Sequence, residues 1–200
     1  MNSMKRTNRI LLYLTALLLF ISTAVEASNT PPSPQALNKA LNAFDRANQQ
    51  GKFTHTHYMG IVDFSKPSYE PRFYIYDLET HNTVLSALVA QGKGSGRGAM
   101  AKYFSNTRGS EKSSLGLFVT DGPYFGLHKQ AIRLTGLEPG INDKAKSRGI
   151  VIHQAWYVNP EFAAEHHRVG NSWGCFSLSP ASMKIALNTI AQGSALYATA

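Results

Sequence analysis

A chain of 200 residues, 43% of them hydrophobic, is one domain's worth and enough to bury a real core. Its formal net charge of +8 suits an anionic polymer or a membrane face as partner, but no Lys/Arg run is long enough to argue for nucleic acid. A single cysteine, Cys175, rules out a disulfide framework within the chain.

The N-terminus reads as a targeting segment. Lys5, Arg6 and Arg9 form a basic stretch, and Ile10 to Ile21 is an apolar run interrupted by Thr15 and the mild Tyr13. Val25-Glu26-Ala27 places small residues where a signal peptidase reads them, so cleavage is expected between Ala27 and Ser28. The 12 apolar residues fall short of the roughly 20 that span a bilayer, so no membrane span is expected after cleavage. No cysteine stands near this point, which excludes a lipid-anchored start. The signal peptide is thus residues 1–27 and a single domain follows over residues 28–200, with 17 Lys/Arg against 11 Asp/Glu.

Beyond a short proline-rich linker, Ser33 is a fitting N-cap and Pro34 a fitting first helical residue. Leu37, Ala40, Leu41, Phe44 and Ala47 recur at helical spacing, and Gly51 is a stop, predicting a helix over about 34–50. Met59 to Phe64 reads as a strand. Arg72 to Leu78 alternates Phe73, Ile75 and Asp77 with Tyr74, Tyr76 and Leu78, and a turn at His81-Asn82 leads into Thr83 to Ala90 as a second arm. His55 and His57 share a side if extended, but no carboxylate or cysteine stands at ligand spacing to argue for a metal.

The glycines of Gln91 to Gly98 alternate and fit neither phosphate-loop spacing nor the dinucleotide fingerprint. They are expected to form a mobile loop lipping a site, with Lys93 or Arg97 toward substrate. Ser113 to Thr120 is a predicted strand that Gly122-Pro123 breaks. Tyr124 to His128 and Ile132 to Leu134 follow as the next strand and its continuation. A polar loop, Glu138 to Arg148, leads to a buried strand, Gly149 to His153, which Trp156-Tyr157-Val158 continues. Ser179 and Pro180 cap a last helix carrying Met183, Ala186, Leu187 and Ile190, Gly193 closes it, and Ala195 to Tyr197 is a final short strand. These elements define a mainly β, β-rich α+β domain.

The chemistry centres on Asn171-Ser172-Trp173-Gly174-Cys175-Phe176-Ser177. A lone thiol in an exported chain is either buried and inert or in use. Its setting in a glycine turn, where neighbouring N–H groups can be aimed at an oxyanion, favours use. An imidazole can take the thiol proton and later return one to a leaving amine. His153, 22 residues before Cys175, ends an apolar strand and is the expected base. His128 also ends an apolar stretch and competes for the role, while His166 and His167 sit on a polar segment.

Ile150-Val151-Ile152-His153-Gln154-Ala155-Trp156-Tyr157-Val158 and Ser172-Trp173-Gly174-Cys175 resemble the catalytic halves of the murein L,D-transpeptidases, the YkuD-like family, in its Gram-negative branch with Ser-Trp-Gly-Cys. The resemblance runs from about Tyr103 to Tyr197. It takes in Phe104-Ser105-Asn106, Ser113 to Gly116, Leu127-His128, Arg133-Leu134, Gly136-Leu137-Glu138, Asn142-Asp143 and Arg168-Val169-Gly170. It implies a sandwich or barrel-like β domain, Cys175 as nucleophile, His153 as base, and Gly174 and Cys175 backbone N–H groups as oxyanion hole. In that family the third triad member is a backbone carbonyl. The resemblance further implies Tyr103, Ser105, Asn106, His128, Arg133, Trp156, Trp173 and Phe176 as substrate-binding residues. It implies peptidoglycan stem peptides as substrate, a periplasmic location, and no metal or organic cofactor.

Five positions depart from the branch: Gln154 and Lys129 stand for glycine, Asn171 for arginine, and Phe176-Ser177 for Pro-Ala. Each bears on the shape of the substrate groove. Three readings follow: a transpeptidase passing the acyl group to an amine, an L,D-carboxypeptidase or hydrolase passing it to water from the same site, and a wall-binding module without turnover. Nothing in the sequence sets the oligomeric state.

Overall fold

Residues 30–126 and 129–200 are described by a computed structural model, so the apolar N-terminal run, its expected cleavage point and His128 lie outside the described residues. The first helix, α1 (Pro34–Asn48), starts as its sequence predicts: the Ser33 hydroxyl accepts from the Ala36 N–H at 3.2 Å. Ser33 also donates to Asp63 at 2.7 Å, tying the start of α1 to the end of β1 (Tyr58–Asp63). Strands β2 (Phe73–Asp77) and β3 (Thr83–Ala87) form the predicted antiparallel hairpin. The alternation in β2 sorts as expected: Phe73 and Ile75 enter one core cluster, Tyr74 and Tyr76 another.

Strand β4 (Gly116–Gly126) does not stop at Gly122-Pro123. Gly122 takes φ +101° and the register against β5 (Lys129–Gly136) slips between Thr120 and Pro123. A bulge absorbs the proline, which has no N–H to give the ladder, and the strand continues. After β6 (Val151–Gln154) the expected continuation at Trp156 to Val158 is a turn closed by the Val158 N–H on Ala155 O at 3.3 Å. A short helix, α2 (Pro160–His166), follows and was not expected. Its signal was present: the Asn159 side chain accepts from the Phe162 N–H at 2.7 Å, with Pro160 at the first helical position. Strand β7 (Phe176–Leu178), helix α3 (Pro180–Thr189) capped by Ser179, and β8 (Gln192–Thr199) complete the chain.

The eight strands make one sheet in the order β3-β2-β1-β8-β4-β5-β6-β7. Pairing is antiparallel except for β1 with β8 and β6 with β7. Bridges from Ala90 to Ser177 and from Gly92 to Ser172 bring the two ends of the sheet together, so it curls nearly into a barrel. Val62, Phe64, Phe118, Ile152 and Phe176 fill the inside with Met183 and Ala186 of α3. On the outside, Ala40, Ala43 and Phe44 of α1 pack against Met59, Ile61 and Tyr74. The near-closure joins the segment after β3 to β7, and the cysteine sits beside it.

Candidate active site

Register places the chemistry. In the parallel pair β6–β7, Ile152 is opposite Phe176 and His153 opposite Ser177. Ile152 and Phe176 point into the core, fully buried. Side chains alternate along a strand, so Val151, His153, Cys175 and Ser177 share the other face. Cys175 directly precedes β7, which sets its thiol diagonally from the His153 ring.

The imidazole is held from both sides. His153 Nδ1 lies 2.8 Å from Gln154 O, and since a carbonyl only accepts, Nδ1 carries the proton. In the neutral ring Nε2 is then the acceptor. It lies 3.0 Å from Ser177 Oγ, which in turn is 3.2 Å from the Tyr157 hydroxyl. The Cys175 thiol donates to Gly149 O at 3.5 Å. Burial pushes the thiol pKa above its ordinary value, while a hydrogen bond from the Val151 N–H and the nearby Arg148 guanidinium pull it back.

Arg148 organises the approach to the thiol. Its guanidinium donates to Ser105 O at 2.5 Å, Ser114 Oγ at 2.6 Å, Ser110 Oγ at 3.2 Å and Lys112 O at 2.6 Å. The last carbonyl lies against the cysteine turn: a Cβ at Gly174 would come within 2.9 Å of Lys112 O and 2.7 Å of the Ile150 side chain, and φ there is +121°. Only glycine fits. Ser172 locks the same turn, donating to Cys175 O at 2.7 Å and accepting from the Gly174 N–H at 3.1 Å. The Gly174 N–H, expected at an oxyanion hole, is therefore engaged within the turn.

The glycine-rich loop does lip the site, but it is tied down rather than loose. Lys93 N–H bonds Ser172 O at 2.8 Å and Gly94 N–H bonds Glu111 O at 2.9 Å. Buried Arg72 reaches it through Gln91, whose amide donates to Gly96 O and Gly98 O, both at 3.0 Å. The Lys93 ammonium sits 4.9 Å over the Trp173 ring and pairs with Glu111 at 2.9 Å.

The expected substrate-binding residues divide. Trp156, Trp173 and Tyr103 are exposed, at 75%, 73% and 61%. Arg133 is exposed and stacks on Tyr124, 4.1 Å from the ring centre. Ser105 and Asn106 are braces: Ser105 O accepts from Arg148, while Asn106 donates to Asp143 at 2.7 Å and accepts from the Lys144 N–H at 3.1 Å. Phe176 is 0% exposed and packs on Phe64 and Phe118, so it cannot touch a substrate. The parity that brings Cys175 outward turns its neighbour inward. A groove of about 250 Å³ lined by Tyr124, Arg133, Leu134, Lys146, Gly149, Ile150 and Val151 reaches the two residues that hold the thiol. Among the described residues no three His, Cys, Asp or Glu side chains are grouped to hold a metal; His57 instead faces Asp77 at 3.3 Å and Glu79 at 3.7 Å.

Sequence reading missed Ser177, Tyr157 and Arg148. Ser177 was visible only as a departure from Pro-Ala, and its meaning required the register. Arg148 gave no signal, because its partners are two carbonyls and two serine hydroxyls far away in sequence.

Together these features define a β-rich domain with one cysteine and one histidine on a shared strand face beside a groove. The chain belongs to the L,D-transpeptidase catalytic domain family, whose profile matches residues 28–199. No curated protein matches it. Among solved structures it is similar to an L,D-transpeptidase from Mycobacterium smegmatis, at 13% identity and a TM-score of 0.45, over 72% of this chain and 59% of that one. It is also similar to L,D-transpeptidase 3 from Mycobacterium tuberculosis in complex with a faropenem-derived adduct, at 13% identity and 0.45, over 72% and 60%. A third likeness is to a fused Zn-dependent amidase/peptidase/peptidoglycan-binding domain-containing protein from Clostridium acetobutylicum, at 17% identity and 0.43, over 86% and 64%. The chain thus spans about three-fifths of the length of these proteins.

Proposed function

We propose that the protein is a peptidoglycan L,D-transpeptidase that works through a Cys175 thioester on murein stem peptides. The observation that carries this is the shared face of β6 and β7, where Cys175 and His153 stand beside a groove with the ring fixed by Gln154 O. Cys175 Sγ attacks the carbonyl of the third stem residue and its proton passes to His153. The C–N bond breaks as His153 returns a proton to the departing D-amino acid, and the amine of another stem then resolves the thioester. Because Gly174 N–H is engaged by Ser172, the Cys175 N–H serves the oxyanion. Residues 1–27 direct export and the mature domain acts in the periplasm, which fits the chain's basic character and an anionic wall polymer.

One observation favours water as a second acceptor. Trp156 and Trp173 stand open to solvent and Phe176 is in the core, so these rings do not shield a thioester in the free protein. Incubation with purified sacculi, followed by muropeptide analysis, tests both readings. New 3→3 crosslinks are the expected product. Released tripeptide alone, with acceptor in excess, replaces transpeptidation by hydrolysis. Cys175→Ala should yield neither product while keeping its thermal midpoint; retained turnover ends the cysteine mechanism.

A further inference from the structure

We propose that the groove beside the thiol is a carboxylate subsite, in which Arg133 grips the α-carboxylate of the D-amino acid that Cys175 displaces. This rests on the stem-peptide reading above and specifies what part of the stem is recognised. The sheet register aims it. Arg133 is opposite Val151 in β5–β6, and Ile152 opposite Phe176 in β6–β7 sets Val151 beside Cys175. Cys175, Val151 and Arg133 therefore form a row across three strands on one face. At a strand spacing of about 4.8 Å, Arg133 Cα lies roughly 10 Å from Cys175 Cα, within reach of a long side chain. The carboxylate of a displaced residue is only a few bonds from the attacked carbonyl, so a row of that length matches the fragment.

The guanidinium is prepared for such a ligand. Its stacking on Tyr124, at 4.1 Å, fixes its plane. Among the described residues it makes no hydrogen bond or ion pair, so its forked N–H edge is available, whereas the Arg148 guanidinium is bound to four groups. The opposite wall carries Lys146, which Asp121 compensates at 2.9 Å, leaving Arg133 as the unmatched charge of the groove. Leu134, Ile150 and Val151 line it between the charges. An apolar floor with one free, pre-oriented guanidinium is a bidentate carboxylate receptor.

The test uses a synthetic stem tetrapeptide with a free C-terminal carboxylate and the same peptide as its C-terminal amide. Cys175 acylation is followed by intact mass over a concentration series. The wild type should half-saturate at an at least tenfold lower concentration with the acid than with the amide. Arg133→Gln should bring that ratio to about one, Arg133→Lys to an intermediate value, and Lys146→Gln should change it less. Equal acylation by acid and amide in the wild type overturns the subsite while leaving the thioester mechanism standing. So does an Arg133→Gln variant that acylates with the wild-type ratio. Acylation by neither peptide removes the proposed function and the subsite with it.

Discussion

His153 and Ser177 face each other across the parallel pair β6–β7, with Nε2 3.0 Å from Ser177 Oγ. The nitrogen that would accept the thiol proton thus already accepts from a buried hydroxyl, which Tyr157 backs. Ser177→Ala removes that anchor without touching Cys175. One buried hydrogen bond is worth about 0.5–1.5 kcal/mol, so acyl transfer should slow by about 2- to 12-fold. Tyr157→Phe should cost less, since it removes only the outer link. Single-turnover acylation rates for the two variants check this; a wild-type rate in Ser177→Ala would make the contact incidental.

The thiol pKa predicts a pH dependence. Burial raises it, so the thiolate forms only above the ordinary thiol range, and alkylation by iodoacetamide should climb at more alkaline pH than for a free thiol. Arg148 opposes the rise. Arg148→Gln should therefore move the alkylation limb to higher pH, while Arg148→Lys should hold the limb near its wild-type position. Both should lose stability, on the order of 2–4 kcal/mol, because neither restores four hydrogen bonds. A raised thiol pKa also means stability that is full below the unfolded value and fades as pH rises through the folded one. Denaturant midpoints should show this fading in the wild type and less of it in Cys175→Ala.

Phe176 is a core residue and its variants should behave as such. Phe176→Ala should destabilise by about 3–5 kcal/mol, the usual cost of an emptied phenylalanine site. Phe176→Pro removes a strand N–H as well and should not fold, rather than reshape the substrate groove as its place beside Cys175 implies from sequence. Urea denaturation checks the first. A folded Phe176→Pro with altered product ratio would restore the sequence-based expectation.

Gly174 is predicted to be irreplaceable for activity. A Cβ there meets Ile150 and Lys112 O and requires φ near +121°. Gly174→Ala should keep the β-rich circular dichroism spectrum but lose at least tenfold in Cys175 acylation, because the turn that aims the thiol must move. Wild-type acylation in this variant would show that the turn tolerates displacement.

Much of the fold was legible because local rules wrote it. Ser33-Pro34 and Ser179-Pro180 are capping signals, and the alternation of Phe73 to Leu78 sorts two cores without tertiary knowledge. The misreadings share a cause. Gly122-Pro123 reads locally as a break, yet a bulge absorbs it once β5 and β8 flank the strand. Trp156 to Val158 is apolar like a strand, but it turns, with Tyr157 and Val158 packed inward and Trp156 left exposed. At the site itself, Cys175 and His153 carry a motif, whereas Ser177, Arg148 and the inward face of Phe176 depend on which strand lies beside which.

The position of β8 between β1 and β4 governs the order in which the molecule can assemble. Until residues 192–199 are in place, β1–β3 and β4–β7 are joined only by the Ala90–Ser177 and Gly92–Ser172 bridges. The β1–β8 contacts span well over a hundred residues, and pairings of that sequence separation form slowly. The long ladders between the two sub-sheets therefore wait on residues 192–199. Deleting β8 should leave a collapsed chain with strand content but no cooperative unfolding transition.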